Sequence, residues 1–119
     1  MKNSEGNAVH TGAQAIVWGD DIRDNMPHIL KYIRECGCEG LETGARHFDF
    51  SRPEYYRDLF AECGIAPVAV HTGGTFEDPE QIAAEMENIG HAVHFARDIG
   101  CPFFAISGNP RETAETMRE

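Results

Sequence analysis

The chain has 119 residues, 41 % of them apolar and 25 % charged, which describes a globular domain rather than a disordered segment. Its formal net charge is −10, with no basic cluster, so a phosphate-backbone partner is excluded as a first expectation and no nucleic-acid partner is expected. No apolar run reaches the length of a membrane span, and Met1 to Gly12 lacks the apolar core of a secretion signal, so the cytoplasm is the expected compartment.

Residues 1–12 are polar and read as a flexible N-terminal tail. Gln14 to Trp18 reads as the first strand, ending at the tip Val17-Trp18-Gly19-Asp20. The first helix is expected to start from Asp24 or Asn25 as N-cap, with Pro27 in the first turn. Met26, Ile29, Leu30, Ile33 and Cys36 form its apolar face at helical spacing. A second strand is expected around Gly40 to Thr43, leading into the tip Glu42-Thr43-Gly44-Ala45-Arg46-His47. Ser51-Arg52-Pro53-Glu54 has the form of a capping box and opens a second helix with Tyr55, Leu59, Phe60 and Cys63 on its face. The third strand is expected over Pro67 to His71, before Thr72-Gly73-Gly74. Asp78 and Pro79 supply the N-cap and N1 residue of a third helix, with Ile82, Met86, Ile89, Val93, Ala96 and Ile99 in one stripe. Phe103 to Ser107 reads as a fourth strand, and Asn109-Pro110-Arg111-Glu112 as the start of a fourth helix.

Three helix exits are near-identical: Glu35-Cys36-Gly37-Cys38, Glu62-Cys63-Gly64-Ile65 and Asp98-Ile99-Gly100-Cys101. A glycine takes the left-handed position that closes a helix without a Cβ penalty. Strands alternating with helices imply a parallel sheet with outer helices. Four βα units correspond to half of a (β/α)8 barrel, whose full length is about 250 residues. A four-stranded flavodoxin-like sheet satisfies the same pattern. Residues 13–119 are thus expected to be a partial TIM barrel, cut within its fourth helix. No nucleotide-cradling glycine motif follows the first strand.

Cys36, Cys63 and Cys101 lie at helix ends, where small buried residues fit, and Cys36-Gly37-Cys38 lacks a matching second knuckle for zinc. Buried, reduced thiols are the expectation. His91 and His94 are assigned to the solvated face of the third helix.

Strand parity sorts the remaining polar residues. One set is bulky and suits the helix layer. The other gathers Gln14, Trp18, Glu42, His71 and Ser107 among small residues, toward a common interior near the strand C-termini. Polar groups there need partners or a ligand. Each has an ordinary alternative. Glu42 is equally a buried acid paired across strands, His71 a satisfied structural histidine, Trp18 rim packing, and His47 a surface loop residue. Ser107 has no triad arrangement around it.

The segments Ala15 to Asp20, Gly40 to His47 and Val68 to His71 together resemble the first three strands of the xylose isomerase-like TIM barrels. Within that superfamily the chain is most similar to the sugar phosphate isomerase/epimerase group, which includes inosose dehydratases, hydroxypyruvate isomerases and ketose 3-epimerases. The resemblance covers roughly residues 13 to 119. It implies a divalent metal (manganese, cobalt, magnesium or zinc) held by two glutamates, an aspartate and a histidine, and two carboxylates moving a proton beside a carbonyl. Those ligands belong to strands five to eight, so none is assigned to a residue here. What carries over is the substrate-pocket wall: Trp18, Glu42, His47, His71 and Ser107. The resemblance therefore implies an N-terminal half that binds a small sugar or polyol, is inactive alone, and pairs with itself or a complementary half-barrel. The alternative is a non-catalytic polyol-binding half-barrel module. Endonuclease IV, a barrel relative with a zinc-ligating histidine near the end of strand three, ranks low, because Ser107 stands where a second histidine is wanted and the charge is wrong for DNA.

Overall fold

A computed structural model of the protein describes residues 10–19 and 22–108. Four strands, β1 (Gly12–Gln14), β2 (Gly40–Gly44), β3 (Ala66–Gly74) and β4 (Phe103–Gly108), form one parallel sheet in the order β1-β2-β3-β4. Between them run α1 (Ile22–Glu35), α2 (Pro53–Cys63) and α3 (Pro79–Asp98). The expected fourth helix and the tail before residue 10 lie outside the described residues. No helix among the described residues is long and apolar enough to cross a membrane.

The three exits do share one geometry. Gly37, Gly64 and Gly100 have φ of 91°, 67° and 79°. In each, the following residue's N–H reaches five residues back: Cys38 to Ile33 at 2.9 Å, Ile65 to Phe60 at 3.1 Å and Cys101 to Ala96 at 2.9 Å. The glycine N–H closes the inner bond to Arg34, Ala61 or Arg97. This pair of bonds satisfies carbonyls that the helix end leaves open and turns the chain back toward the sheet.

Helix starts depart from expectation. The first strand ends at Gln14, not Trp18, because the Gln14 side chain accepts the Ile16 N–H at 2.5 Å and winds Ala15–Trp18 into a 3-10 turn. His10 and Thr11 are already tied in, with Thr11 accepting the Glu39 N–H at 2.7 Å, and β1 begins at Gly12, so the ordered chain starts before residue 13. In α1, Asp24 and Asn25 lie inside the helix and Pro27 is interior. Ser51 does not cap α2. Its hydroxyl and N–H both bond Asp49 Oδ1, at 2.7 and 3.0 Å, and hold that carboxyl below the usual carboxylate range. Asp78 does cap α3, its Oδ1 accepting the Glu80 N–H at 2.9 Å, with Pro79 at N1.

The core lies between the helices and one face of the sheet. Ile22, Met26, Ile29, Leu30 and Ile33 of α1 pack with Leu41 and Val70. Tyr56, rather than Tyr55, is buried on α2, because it enters an aromatic cluster with Phe48 (4.9 Å between ring centroids, edge-on) and Phe95. On α3 the buried set is Ile89, Ala92, Phe95 and Ala96. Ile82, Met86 and Val93 of the expected stripe are exposed, and Ile99 is buried just beyond the helix. All four cysteines are free. Cys36 is exposed, against expectation, since it lies in the turn beyond the buried face of α1; Cys101 is partly buried, and that burial pushes its thiol pKa up.

Candidate functional site at the ends of β2 and β3

Strand parity sorts β2, and β3 from Val70 onward, as expected; Val68, assigned with Val70 to the helix layer, is instead exposed beside Gly40 because the register shifts there, and Ile106 of β4 is exposed too. Leu41, Thr43 and Val70 are buried toward the helices. Gly44 stands opposite His71, His71 opposite Ala105, and Gly73 opposite Ser107 on neighbouring strands. The alternate face carries Glu42, His71 and Ser107, and it is the less covered one.

At the C-terminal end of β2 the chain passes from Gly44 into a 3-10 turn, Ala45–His47. This turn brings His47 back over the strand end. A Cβ on Gly44 would lie 3.3 Å from His71 Nε2, 3.4 Å from His47 Cδ2 and 3.7 Å from His47 Nε2. The two imidazoles therefore converge over a residue that has no side chain to separate them. His47 is buried, at 7 % exposure, and its Nε2 accepts the Arg46 Nε–H at 3.2 Å. The guanidinium of Arg23, from α1, donates to the carbonyls of Arg46 and Phe48, both at 2.8 Å, and fastens this loop to the first helix.

His71 Nδ1 is buried without a hydrogen-bond partner, and Glu42 Oε1 lies 3.8 Å from it. That is ion-pair range but too long for a hydrogen bond. The pair is poised rather than closed: a small shift of either side chain, or a ligand hydroxyl between them, would satisfy the nitrogen.

A cavity of about 320 Å³ opens here, lined by Gly44, Arg46, His47, His71, Thr72 and Gly73 from β2 and β3, and by residues after β1. His47 and His71 are thus brought together, with Glu42 against the far edge of His71. Trp18 is not. It lies in the 3-10 turn rather than on a strand, and it lines a separate groove with Asn25, His28, Ile29 and Tyr32 of α1. Ser107 is exposed on β4, one strand beyond the cavity. A larger hollow of about 560 Å³ runs from the N-terminal end of the strands, at Gly12, Glu39 and Ala66, to Gln14 and Glu42, so Glu42 lines this hollow and not the smaller cavity. In βα folds the N-terminal end reads as stability, not chemistry.

Arg46 and Arg23 escaped the sequence reading. Arg46 sits within the tip that reading singled out, but strand parity says nothing past the strand's last residue. Arg23 acts through a contact 23 residues away, for which the sequence holds no local signal. His91 behaves as expected, exposed and 3.7 Å from Glu87 one turn earlier, and His94 is exposed too.

Among the described residues no three histidine, cysteine, aspartate or glutamate side chains gather as a metal-binding set. The metal that the sequence resemblance implies does not fit these side chains on their own.

The structure matches that of a sugar phosphate isomerase/epimerase from Parabacteroides distasonis, with a TM-score of 0.65 and 16 % identity, over 96 % of this chain and 44 % of that one. The chain has the fold of half a TIM barrel. It spans less than half the length of the barrel protein it matches. No protein-family model matches the chain, and no curated protein matches it by sequence.

Proposed function

We propose that this chain supplies the first four βα units of a sugar or sugar phosphate isomerase or epimerase, or of a related dehydratase, and forms one wall of its substrate pocket. The observation that carries this reading is the convergence of His47 and His71 over Gly44, at the strand ends where βα barrels place their chemistry. The His71 imidazole offers a donor and an acceptor to sugar hydroxyls, while His47, whose Nε2 accepts from Arg46, shapes the loop beside it. Glu42, half-exposed beside His71, accepts from a hydroxyl and orients the ring. Gly44 and Gly73 let a ligand approach the backbone closely. These residues bind and orient. Proton transfer next to a carbonyl, and the cation that stabilises the resulting enediolate, belong in this reading to strands outside this chain, so the chain alone is inactive.

A partner is part of the same proposal. β1 and β4 each have a strand neighbour on one side only among the described residues, and a complementary half-barrel or a second copy would pair with them.

The test is a titration of the isotopically labelled chain with ketoses and polyols, followed by NMR. Gly44, His47 and His71 are expected to shift together in the millimolar range. Resonances that stay fixed there with every sugar tried would remove the reading. So would turnover of a ketose by this chain alone with a divalent metal added, since that would place the catalytic set within it.

A further inference from the structure

The inner face of the sheet has a gap beside one free edge and a bare aromatic ring beside the other. Paired residues on neighbouring strands share a face. Gly12 pairs with Gly40, and Gly40 with Ala66; Gln14 pairs with Glu42, Glu42 with Ala69, and Ala69 with Phe103. All of these face away from the helices. The hollow of about 560 Å³ opens over this face on β1 to β3, with Gly12, Gln14, Gly40, Glu42, Ala66 and Val68 in its lining. Phe103 of β4 lies on the same face, does not line the hollow and is 67 % exposed. The hollow thus adjoins the β1 edge, and the ring adjoins the β4 edge.

We propose that this hollow receives Phe103 from a second copy of the chain, and that the contact holds Glu42 against His71. The proposal rests on the pairing of β1 and β4 put forward above and names the occupant and its effect on the candidate site. One twofold operation that lays β4 of one copy beside β1 of the other carries each Phe103 to the other's hollow, so two rings enter two hollows at once. The interior of a small closed sheet is filled by its own side chains, large ones facing small ones. Here the large residue is Phe103 and the small ones are Gly12, Gly40 and Ala66. Burying the ring removes on the order of 150 Å² per copy. A stable dimer buries about 1,200–2,000 Å² in all. Ile16 and Val17 beyond β1, and Ile106 on β4, are each more than half exposed, occur twice in the pair and supply further apolar area. Neither β1 nor β4 contains a charged residue, and His10 and Glu39 at the rim of the hollow pair with each other at 2.5 Å, so the seam is nearly free of the charge that separates two acidic chains.

Glu42 links the seam to the site. It lines the hollow, and its Oε1 stands 3.8 Å from His71 Nδ1, which is buried without a hydrogen-bond partner. A ring seated in the hollow takes water away from the Glu42 carboxylate, and a carboxylate that loses water needs a hydrogen-bond donor. His71 supplies it in the tautomer that carries the proton on Nδ1, which leaves Nε2 as an acceptor on the Gly44 side. The pair that stands open in one copy closes in two.

The experiment is sedimentation equilibrium of the full chain, of Phe103→Ala, of Ala66→Phe, which fills the hollow from within, and of the double variant, all at raised salt, with NMR of the His71 ring across the same concentrations. Phe103 and Ala66 are both exposed, so the variants are expected to fold; circular dichroism checks them. The parent should dimerise, each single variant should lose about a hundredfold in dimer affinity, and the double variant should regain most of it. The His71 ring resonances should move with concentration in the parent and the double variant, and stay fixed in the single ones. Equal dimer affinity in all four proteins would overturn the proposal while leaving the pairing of the sheet edges intact. Four monomers at millimolar concentration would overturn it together with the second copy as partner, while the sugar titration still decides the pocket reading. A dimer that responds to the variants while His71 stays fixed would overturn the link to the site.

Discussion

Gly40 shows how closely single atoms are set in this sheet. β2 and β3 change register between Leu41 and Glu42, so that Leu41 faces Pro67, Glu42 faces Ala69, and Val68 is left without a partner. Val68 instead rests on the bare Cα of Gly40. A Cβ there would overlap Val68 Cγ2 and lie 3.3 Å from the Ala66 carbonyl. Gly40→Ala is therefore expected to lower stability by about 1–3 kcal/mol, as overpacking does. Val68 is 39 % exposed, so Val68→Ala alone should cost less, and in the double variant most of the loss should return. Urea unfolding of the four proteins decides it, and strictly additive losses would show that the two residues do not meet. The same irregularity restores the phase of β3 beyond it, which sets His71 opposite Gly44 and so builds the candidate site.

Helix α1 carries an internal cost. It begins at Ile22, which places Pro27 where its missing N–H leaves the Arg23 carbonyl without its helical donor. An interior proline costs about 3 kcal/mol against alanine, and the looser unfolded chain returns about 0.4–1 kcal/mol of that. Pro27→Ala should raise stability by about 2–2.6 kcal/mol, read as a higher urea midpoint at unchanged slope. A midpoint that stays or falls would mean that the helix does not run through this position. The misplaced start has a physical reason. Sequence rules take proline as an N-terminal marker, but here burial of Ile22 and Met26 extends the helix past it. Local side-chain competition misled two further boundaries: Gln14 bonds the Ile16 N–H and ends β1 early, and Ser51 bonds Asp49 instead of capping α2. The exits at Gly37, Gly64 and Gly100 were legible because the glycine itself is the local requirement. Of the site, Glu42, His47 and His71 were legible as strand-tip residues. Trp18 was misplaced with its strand, and the choice of Tyr56 over Tyr55 depends on Phe48 and Phe95, which no local pattern brings near.

At the scale of the molecule, the open sheet is the dominant fact. Phe103 and Ile106 of β4 are 67 % and 54 % exposed, and Ile16 and Val17, just beyond β1, are 73 % and 75 % exposed. Neither edge strand contains a charged residue or a proline, the usual devices that keep an edge from pairing. All four strands are parallel and in sequential order. A twofold axis along the sheet's barrel axis therefore lays β4 of one copy beside β1 of the next, and the second contact closes the ring at eight strands. Net charge opposes this encounter, because two copies each carry −10. The prediction follows from both terms. Sedimentation equilibrium should show a concentration-dependent dimer, with the dimer fraction rising as salt screens the repulsion. Phe103→Lys, which puts a charge on the exposed edge, should return the chain to monomer with its helical signal intact. A compact monomer at high concentration and high salt, still binding small polyols, would instead favour a self-sufficient binding module over a barrel that needs its other half.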